Sequence, residues 1–147
     1  MPEQLVVDGY NVIHAWKDLR PLVPESLELA REGLVARLST LAQITGSEVT
    51  VVFDAHRTSA HRGNEEVRDG VRVLFTRRGH SADHAIERLA YLARERGEPL
   101  MVATSDSFHR SMLRGMGAAV IGADELLRQV QGAEAELARQ LRNHSRP

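Results

Sequence analysis

Four of the seven aspartates in this 147-residue chain stand where apolar stretches end or where the next helical pattern begins. Asp8 follows the run QLVV, Asp54 follows EVTVVF, and Asp106 closes the segment TSD after PLMVA. Asp83 stands in the first turn of the helical segment that follows VRVLFT. Since ligands of open parallel sheets bind outside the carboxyl ends of the strands, we expect these four carboxylates to converge at one edge of a sheet.

Carboxylates brought together in this way repel one another and need a cationic counter-charge. Hard divalent cations prefer oxygen ligands, so the pattern predicts a site for Mg²⁺ or Mn²⁺. Such sites catalyse phosphoryl transfer, because the ion binds the scissile phosphate, lowers the pKa of a bound water and stabilises the leaving oxygen. Asp8, Asp83 and Asp106 each have a simpler interpretation when taken alone, since Asp is favoured in the first turn of any helix. The joint pattern favours the metal site.

The elements that must position these residues alternate along the chain between strand-like and helical patterns. Five nearly continuous, β-branched runs predict strands that are buried on both faces: 4–7, 48–53, 71–76, 99–103 and 118–121. Apolar residues at helical spacing predict helices within 24–46, 81–97 and 107–117, and a C-terminal helix over about 124–142. The polar stretch 55–70 is expected to be mainly loop with at most a short helix. This alternation predicts a single α/β domain over 1–147 with a mostly parallel sheet.

The composition excludes several kinds of site and shows an uneven charge distribution. The chain has no cysteine, which excludes disulfides and thiolate chemistry, and no apolar run approaches the ~20 residues of a membrane span. We therefore expect a soluble, cytoplasmic protein that does not contact a membrane. Residues 56–80 carry 6 basic and 3 acidic side chains, whereas residues 1–55 carry 4 and 8. The basic segment predicts a local anion-binding surface.

Four arginines in this basic segment are candidate RNA-binding residues. Arg57 and Arg62 follow the second strand, and Arg77 and Arg78 precede the helix that begins near Ser81. The stretch 56–64 is expected to overhang the carboxylates, and all four arginines are expected to contact phosphates, because guanidinium groups match phosphate oxygens. A solvated, arginine-rich loop is an equal alternative, because 18 of the 19 basic residues of this chain are arginine.

The combined segments VDGYNVI, VVFDA, FTRRGHSADHAIERLA, VATSD and ADELLRQV resemble, in order and spacing, the YacP-like group of NYN domains in the PIN-like nuclease superfamily. The resemblance extends from about Leu5 to about Leu141. It implies a PIN-like three-layer α/β/α fold and endoribonuclease activity that depends on Mg²⁺ or Mn²⁺. It also implies single-stranded or messenger RNA as the substrate and the ribosome as a partner.

The resemblance further implies a role for each matching residue. Asp8, Asp83 and Asp106 match the primary metal ligands and are the implied catalytic residues. Asp54 matches a further metal ligand, and Asn11 matches the asparagine of the first motif. Both rank as supporting, because the second strand is expected to lie one position from the centre of the sheet. Ser105, within TSD, is a further supporting residue.

Other phosphate and nucleotide chemistries fit the sequence less well. A haloacid-dehalogenase-like phosphatase needs a second aspartate where Tyr10 stands. Both that family and receiver domains need a late lysine, whereas Lys17 is the only lysine. GMGAAVIG precedes a predicted strand instead of following one, which excludes a dinucleotide-binding motif, and no P-loop motif occurs.

A non-catalytic RNA-binding or ribosome-associated adaptor on the same fold is the main alternative from another functional class, because function does not follow from fold. The apparently complete acidic set argues against it, since a degenerate member would be expected to lose a carboxylate. Metal-dependent cleavage that disappears with Asp8→Asn would separate the two functions.

The histidines and large aromatic residues are expected to serve structure more than binding. His14 and His109 are expected to pack or hydrogen-bond in the interior. Tyr10 and Trp16 stand at the start of a helix, where a structural role is favoured over stacking on a base. A zinc site would lack cysteine ligands; its only candidates are two closely spaced pairs, His56 with His61 and His80 with His84.

Overall fold

The chain folds into a six-stranded sheet that is covered by helices on both faces. The computed structural model describes residues 3–54, 64–77 and 79–145. Its strands are β1 (Gln4–Asp8), β2 (Glu48–Phe53), β3 (Asn64–Arg68), β4 (Val71–Phe75), β5 (Leu100–Ala103) and β6 (Ala119–Ile121). Its helices are α1 (Gly9–Ala15), α2 (Leu27–Thr45), α3 (Ala82–Glu95), α4 (Ser107–Gly115) and α5 (Ala123–His144), with a 3-10 turn at Arg20–Leu22. Within the described ranges, no helix is both long enough and apolar enough to cross a lipid bilayer.

The strand order is β3-β4-β2-β1-β5-β6, so the first strand of the chain lies inside the sheet. All neighbouring strands are parallel except β3, which is antiparallel to β4. In this register Gln4 of β1 lies opposite Glu48 of β2 and Leu100 of β5, and Asp8 lies opposite Val52. The predicted α/β fold with a mostly parallel sheet is confirmed.

Alternate residues of the central strands face opposite helical layers. Leu5 and Val7 of β1 belong to a core formed with α1, α2 and α5, whereas Val6 belongs to a second core formed with α3 and α4. Since both faces are covered, the strand needs apolar residues at every position, which explains the continuous run in the sequence. The three layers agree with the PIN-like α/β/α arrangement expected from the resemblance.

The helix boundaries follow capping residues that the sequence already showed. The Ser81 hydroxyl oxygen accepts a hydrogen bond from the His84 N–H at 3.2 Å and begins α3. Helix α2 ends at Gly46, whose φ of 75° is in the left-handed region that glycine adopts without strain. The C-terminal helix α5 extends one residue before and two residues beyond the predicted range of 124–142.

Strand β3 corrects the prediction of a loop or short helix in the polar stretch 55–70. Residues 64–68 pair with β4 across a two-residue turn at Asp69 and Gly70, which have φ values of 48° and 85°. A turn with positive φ at both central residues is the tight type that joins antiparallel strands, and Asp-Gly is a preferred sequence for it. The prediction was wrong because it relied on hydrophobic pattern, and an exposed edge strand does not need one.

Arg37 of α2 joins two other helical elements on one face of the sheet. Its Nε and Nη2 donate to the two carboxylate oxygens of Glu134 on α5 at 3.0 and 2.8 Å. Its Nη1 donates to Asp18 at 3.2 Å, and its guanidinium lies 5.1 Å from the centre of the Trp16 ring. This network holds α5 beside the region where α1 ends.

Candidate active site

The candidate site lies at the carboxyl end of β1. From β1 the chain proceeds through β2 to β4 toward one edge of the sheet, and later enters β5 and β6 on the other side. The strand order therefore reverses between β1 and β5, and such a switch point forms the ligand-binding crevice of open α/β sheets. Asp8 ends β1, and the segment 104–106 follows β5 directly.

Gly9 allows α1 to begin immediately after Asp8. A Cβ atom at position 9 would lie 2.4 Å from the Phe53 ring. That ring is fully buried and packs against Tyr10 and Phe75, with ring centres 5.1 and 5.6 Å away. The Val52 carbonyl oxygen would lie 3.0 Å from the same Cβ atom, so any larger residue here would require the ring or the backbone to shift, and glycine is favoured. The Asp-Gly pair thus places a carboxylate at the strand tip while the first turn of α1 packs closely on β2.

The Asp8 carboxylate is buried, with 8% of the residue exposed. Its Oδ2 accepts a hydrogen bond from the hydroxyl of Thr104 at 3.0 Å. Burial is the largest cause that raises the pKa of Asp8 from 3.8 to about 6, and the charges of Asp83 and Asp106 add to this rise. The Thr104 hydrogen bond and nearby His109 lower this pKa, but by less than burial raises it. A bound cation would favour the charged carboxylate at this position.

Asp83 and His109 form a cluster with Asp8. Asp83 lies in the first turn of α3 with 52% of its side chain exposed, whereas the His109 side chain, near the start of α4, is 2% exposed. His109 Nδ1 lies 3.4 Å from Asp83 Oδ1. One ligand atom from each of these three residues lies within 4.8 Å of the other two, and they are the only group of three His, Cys, Asp or Glu residues in the described part of the chain that does so.

Glu87 lies near the second ring nitrogen of His109. Its Oε1 is 3.6 Å from Nε2, which is just beyond hydrogen-bond distance. Asp83 and Glu87 are four residues apart on α3, so they share one face of that helix. The imidazole therefore lies between two carboxylates of the same helix, and neither of its nitrogens has a hydrogen-bond partner.

Asn11 and Ser105 contact each other and fix the loop that follows β5. Asn11 Oδ1 accepts a hydrogen bond from the Ser105 N–H at 2.8 Å. The Ser105 hydroxyl oxygen accepts one from the Ala123 N–H at 2.9 Å, and the Trp16 indole donates to the Ala123 carbonyl at 2.8 Å. The two predicted supporting residues thus connect the start of α1, the loop after β5 and the start of α5.

Asp106 lies beside the cluster and begins α4. Its Oδ1 accepts a hydrogen bond from the backbone N–H of His109 at 3.1 Å, and its own N–H donates to Thr104 Oγ1 at 3.3 Å. It is near enough to raise the pKa of Asp8 but is not one of the three clustered residues. Its capping contact orients the turn that carries His109. Its predicted role as a primary metal ligand stays a prediction.

Asp54 follows β2, on the opposite side of β1 from Asp106. Asp8 is paired with Val52, so Asp54 follows two residues farther along the neighbouring strand direction. That offset is about 7 Å along the sheet and about 4.8 Å across it, from ordinary strand spacings. Asp54 is partly buried and outside the three-residue cluster. Its predicted role as a metal ligand also stays a prediction.

A cavity of about 690 Å³ opens between α3 and the edge of the sheet formed by β3 and β4. Arg77, a predicted RNA-binding residue, lines it; the predicted arginines 57, 62 and 78 lie outside the described residues. The other polar or aromatic lining residues are Asn64, Glu65, Phe75, Thr76, His80, His84 and Arg88. The cavity is therefore richer in basic side chains than in acidic ones.

Comparison with known proteins decides the family. The family model of the YacP-like NYN domain matches residues 5–147. The chain belongs to the YacP-like NYN family. The uncharacterized protein YacP of Bacillus subtilis (strain 168) is 38% identical over 138 residues, which cover 94% of this chain and 81% of that protein.

Crystal structures of Rae1 (YacP) from Bacillus subtilis share the fold. One has a TM-score of 0.85 at 36% identity, with 97% of this chain and 82% of that chain covered. A point mutant of the same protein has a TM-score of 0.82 at 38% identity, with 97% and 84% covered. NYN domains are generally nucleases, and this family implies RNA as the class of substrate.

The sequence reasoning missed the positions of His109, Glu87 and Thr104 in this site. His109 was expected only to pack or hydrogen-bond in the interior, and it is buried but lies beside Asp83. The available signal was its spacing, three residues after Asp106 in the first turn of a helix at the same edge of the sheet. The structural interpretation of the two large aromatic residues near β1 agrees with the structure, since Tyr10 is 7% exposed and Trp16 is 2% exposed.

Proposed function

We propose that this chain is an endoribonuclease that hydrolyses RNA phosphodiester bonds with the help of Mg²⁺ or Mn²⁺. The observation that supports it most strongly is the cluster of Asp8, Asp83 and His109 at the switch point of an NYN-family sheet. The residues fit a divalent cation, because two carboxylates and an imidazole with unpartnered nitrogens face one another within 4.8 Å.

In this proposal Asp8, Asp83 and Asp106 hold the cation, and Asp54 is a further ligand with a supporting role. A cation bound there supplies a water of lowered pKa and stabilises charge on the phosphate. Thr104 holds the Asp8 carboxylate in one orientation through the 3.0 Å hydrogen bond. That contact prevents the strand-tip carboxylate from turning away from the crevice, and a rigidly held ligand is what such chemistry requires.

The proposed substrate is single-stranded RNA, including messenger RNA presented by the ribosome in the cytoplasm. The basic cavity supports this choice, because its volume of about 690 Å³ is in the range of ordinary ligand pockets and suits an unpaired nucleotide. Arg77 and Arg88 would bind phosphates and Phe75 would contact a base. The RNA-binding roles of Arg57, Arg62 and Arg78, which lie outside the described residues, stay predictions.

The test is incubation of end-labelled single-stranded RNA with the purified protein and Mn²⁺. We expect cleavage that stops with EDTA and in the Asp8→Asn variant. Asp124→Asn serves as the matched control, since this aspartate is exposed at the start of α5, away from the cluster. Circular dichroism verifies that both variants are folded.

The outcomes separate the candidate functions. Cleavage that persists in EDTA or in Asp8→Asn would contradict the proposal. Cleavage restricted to ribosome-bound messenger RNA would show that a partner must present the substrate. Absence of cleavage of both free and ribosome-bound RNA would favour the adaptor on the same fold.

A further inference from the structure

The side chain of His109 is buried, and its imidazole ring has no hydrogen-bond partner. Its side chain is 2% exposed, and both ring nitrogens lack a partner. His80 and His84, in contrast, are exposed. Buried polar side chains in folded proteins are almost always satisfied, so an imidazole with two unpartnered nitrogens needs an explanation. A ligand that is bound in the working protein provides one.

The unpartnered nitrogen Nδ1 lies beside the carboxylate cluster. It lies 3.4 Å from Asp83 Oδ1, and a ligand atom of Asp8 lies within 4.8 Å of both residues. Ligands bound to one ion at about 2.0–2.3 Å lie about 3–4.6 Å from each other, so these separations suit a single shared cation. The acidic pair and the buried imidazole are independent observations that indicate the same position.

Glu87 supplies the contact expected behind a ligating histidine. Metal-binding histidines usually donate their second ring N–H to a carboxylate, which fixes the tautomer and the ring orientation. Glu87 Oε1 is 3.6 Å from Nε2, so a small rotation of either side chain closes a hydrogen bond. With the hydrogen on Nε2, Nδ1 keeps a lone pair free to bind a cation next to Asp83 and Asp8.

Resting on the proposed function, we propose that His109 is a ligand of the catalytic cation, so that the site has mixed oxygen and nitrogen donors. Mg²⁺ prefers oxygen ligands, whereas imidazole suits first-row transition ions. The site therefore selects Mn²⁺ over Mg²⁺, and Glu87 positions His109 for that role.

The test is pulsed electron paramagnetic resonance of Mn²⁺ bound to the untagged full chain. A coordinated imidazole produces nitrogen modulation of the Mn²⁺ signal, and labelling the protein with ¹⁵N-histidine must change its frequencies. We expect this modulation in the wild type and in His84→Gln, the matched control, because His84 is exposed next to Asp83 but outside the cluster. We expect its loss in His109→Gln.

A competition titration provides the second measurement. The preference of the wild type for Mn²⁺ over Mg²⁺ is expected to fall by at least about tenfold in His109→Gln and to stay unchanged in His84→Gln. If His109→Gln does not fold, ¹⁵N-histidine labelling of His84→Gln decides the question, because modulation that persists there comes from a histidine other than His84, and His109 is the one histidine of the cluster in the described part of the chain.

Two results would overturn the proposal, and they differ in what else they affect. Mn²⁺ that binds the wild type without nitrogen modulation would show that His109 is not a ligand, and the carboxylate site of the proposed nuclease would stand. Failure of millimolar Mn²⁺ to bind the wild type would overturn both the histidine ligand and the proposed metal centre.

Discussion

Replacing Asp8 with asparagine is expected to stabilise the cation-free protein at neutral pH. The wild-type carboxylate is buried, at 8% exposure, near two other aspartates. Asparagine has nearly the same shape but no charge, and its amide oxygen still accepts the hydrogen bond from Thr104. The substitution that we expect to abolish cleavage should therefore make the fold more stable.

The magnitude follows from the pKa of Asp8, which is about 6 in the folded chain against 3.8 without its surroundings. Between these pH values the folded state binds more protons than the unfolded state, so the stability of the wild type falls as the pH rises through this window. Above this pH window, the charged Asp8 carboxylate lowers the free energy of unfolding by about 3 kcal/mol, because a pKa difference of one corresponds to about 1.4 kcal/mol. The advantage of the variant falls to about half at pH 5 and about one fifth at pH 4.

The assay is thermal unfolding in EDTA at pH 7.5, 5 and 4. At pH 7.5 the variant is expected to melt about 6–12 °C above the wild type, from the usual relation between stability and Tm for a chain of this size. Asp124→Asn is the control and should lower the melting temperature only slightly, since that side chain is 81% exposed and its charge in the first turn of α5 contributes at most about 1 kcal/mol. Equal melting temperatures at pH 7.5, or a gain that is the same at pH 4 and 7.5, would refute the assignment of the raised pKa to Asp8.

Further substitutions test the packing around the site. Gly9→Ala is expected to lower the free energy of unfolding by about 1–3 kcal/mol, because its methyl would overlap a buried ring, whereas Gly132→Ala, in open space within α5, should raise it by about 0.5–1 kcal/mol. Urea titration measures both, and changes of the same sign would contradict the contact. Thr104→Val is expected to cost about 1–3 kcal/mol at pH 7.5 and less at pH 4, because the buried carboxylate loses its donor; a loss independent of pH would exclude this cause. Arg37→Met is expected to lower the stability by about 1–3 kcal/mol through its paired hydrogen bonds to a carboxylate. Arg139→Met, at an exposed position, should leave the urea midpoint unchanged. Equal effects of Arg37→Met and Arg139→Met would show that the contact between α2 and α5 contributes no more to stability than an exposed ion pair.

The fold was predictable where the local pattern and the final environment agree. Strands that are covered on both faces must be apolar throughout, so β1 and β2 could be located from their continuous apolar runs alone. Ser81 and Gly46 marked helix ends because capping depends on neighbouring residues only. Strand β3 could not be found in this way, since its pairing depends on β4 and on the turn at Asp69.

The sequence predicts those parts of the site that depend only on the order of strands and helices along the chain. Asp8 and Asp83 come together because parallel strands bring their carboxyl ends, and the helices that follow, to the same edge. The distance of Asp54 from Asp8 depends on strand order and register, which the sequence does not show. Whether His109 turns inward depends on how α4 packs beside α3, and that is a property of the tertiary structure.

The position of β1 inside the sheet determines when the site can form. Asp8 is made early, but Thr104, its hydrogen-bond partner, follows 96 residues later, and the bond from Trp16 to Ala123 spans 107 residues. Contacts of such long sequence separation form late in folding. A chain still being synthesised therefore carries its first aspartate without the groups that complete the cluster. Under the proposed function, such a chain would have no complete site with which to cut the message from which it is still being synthesised.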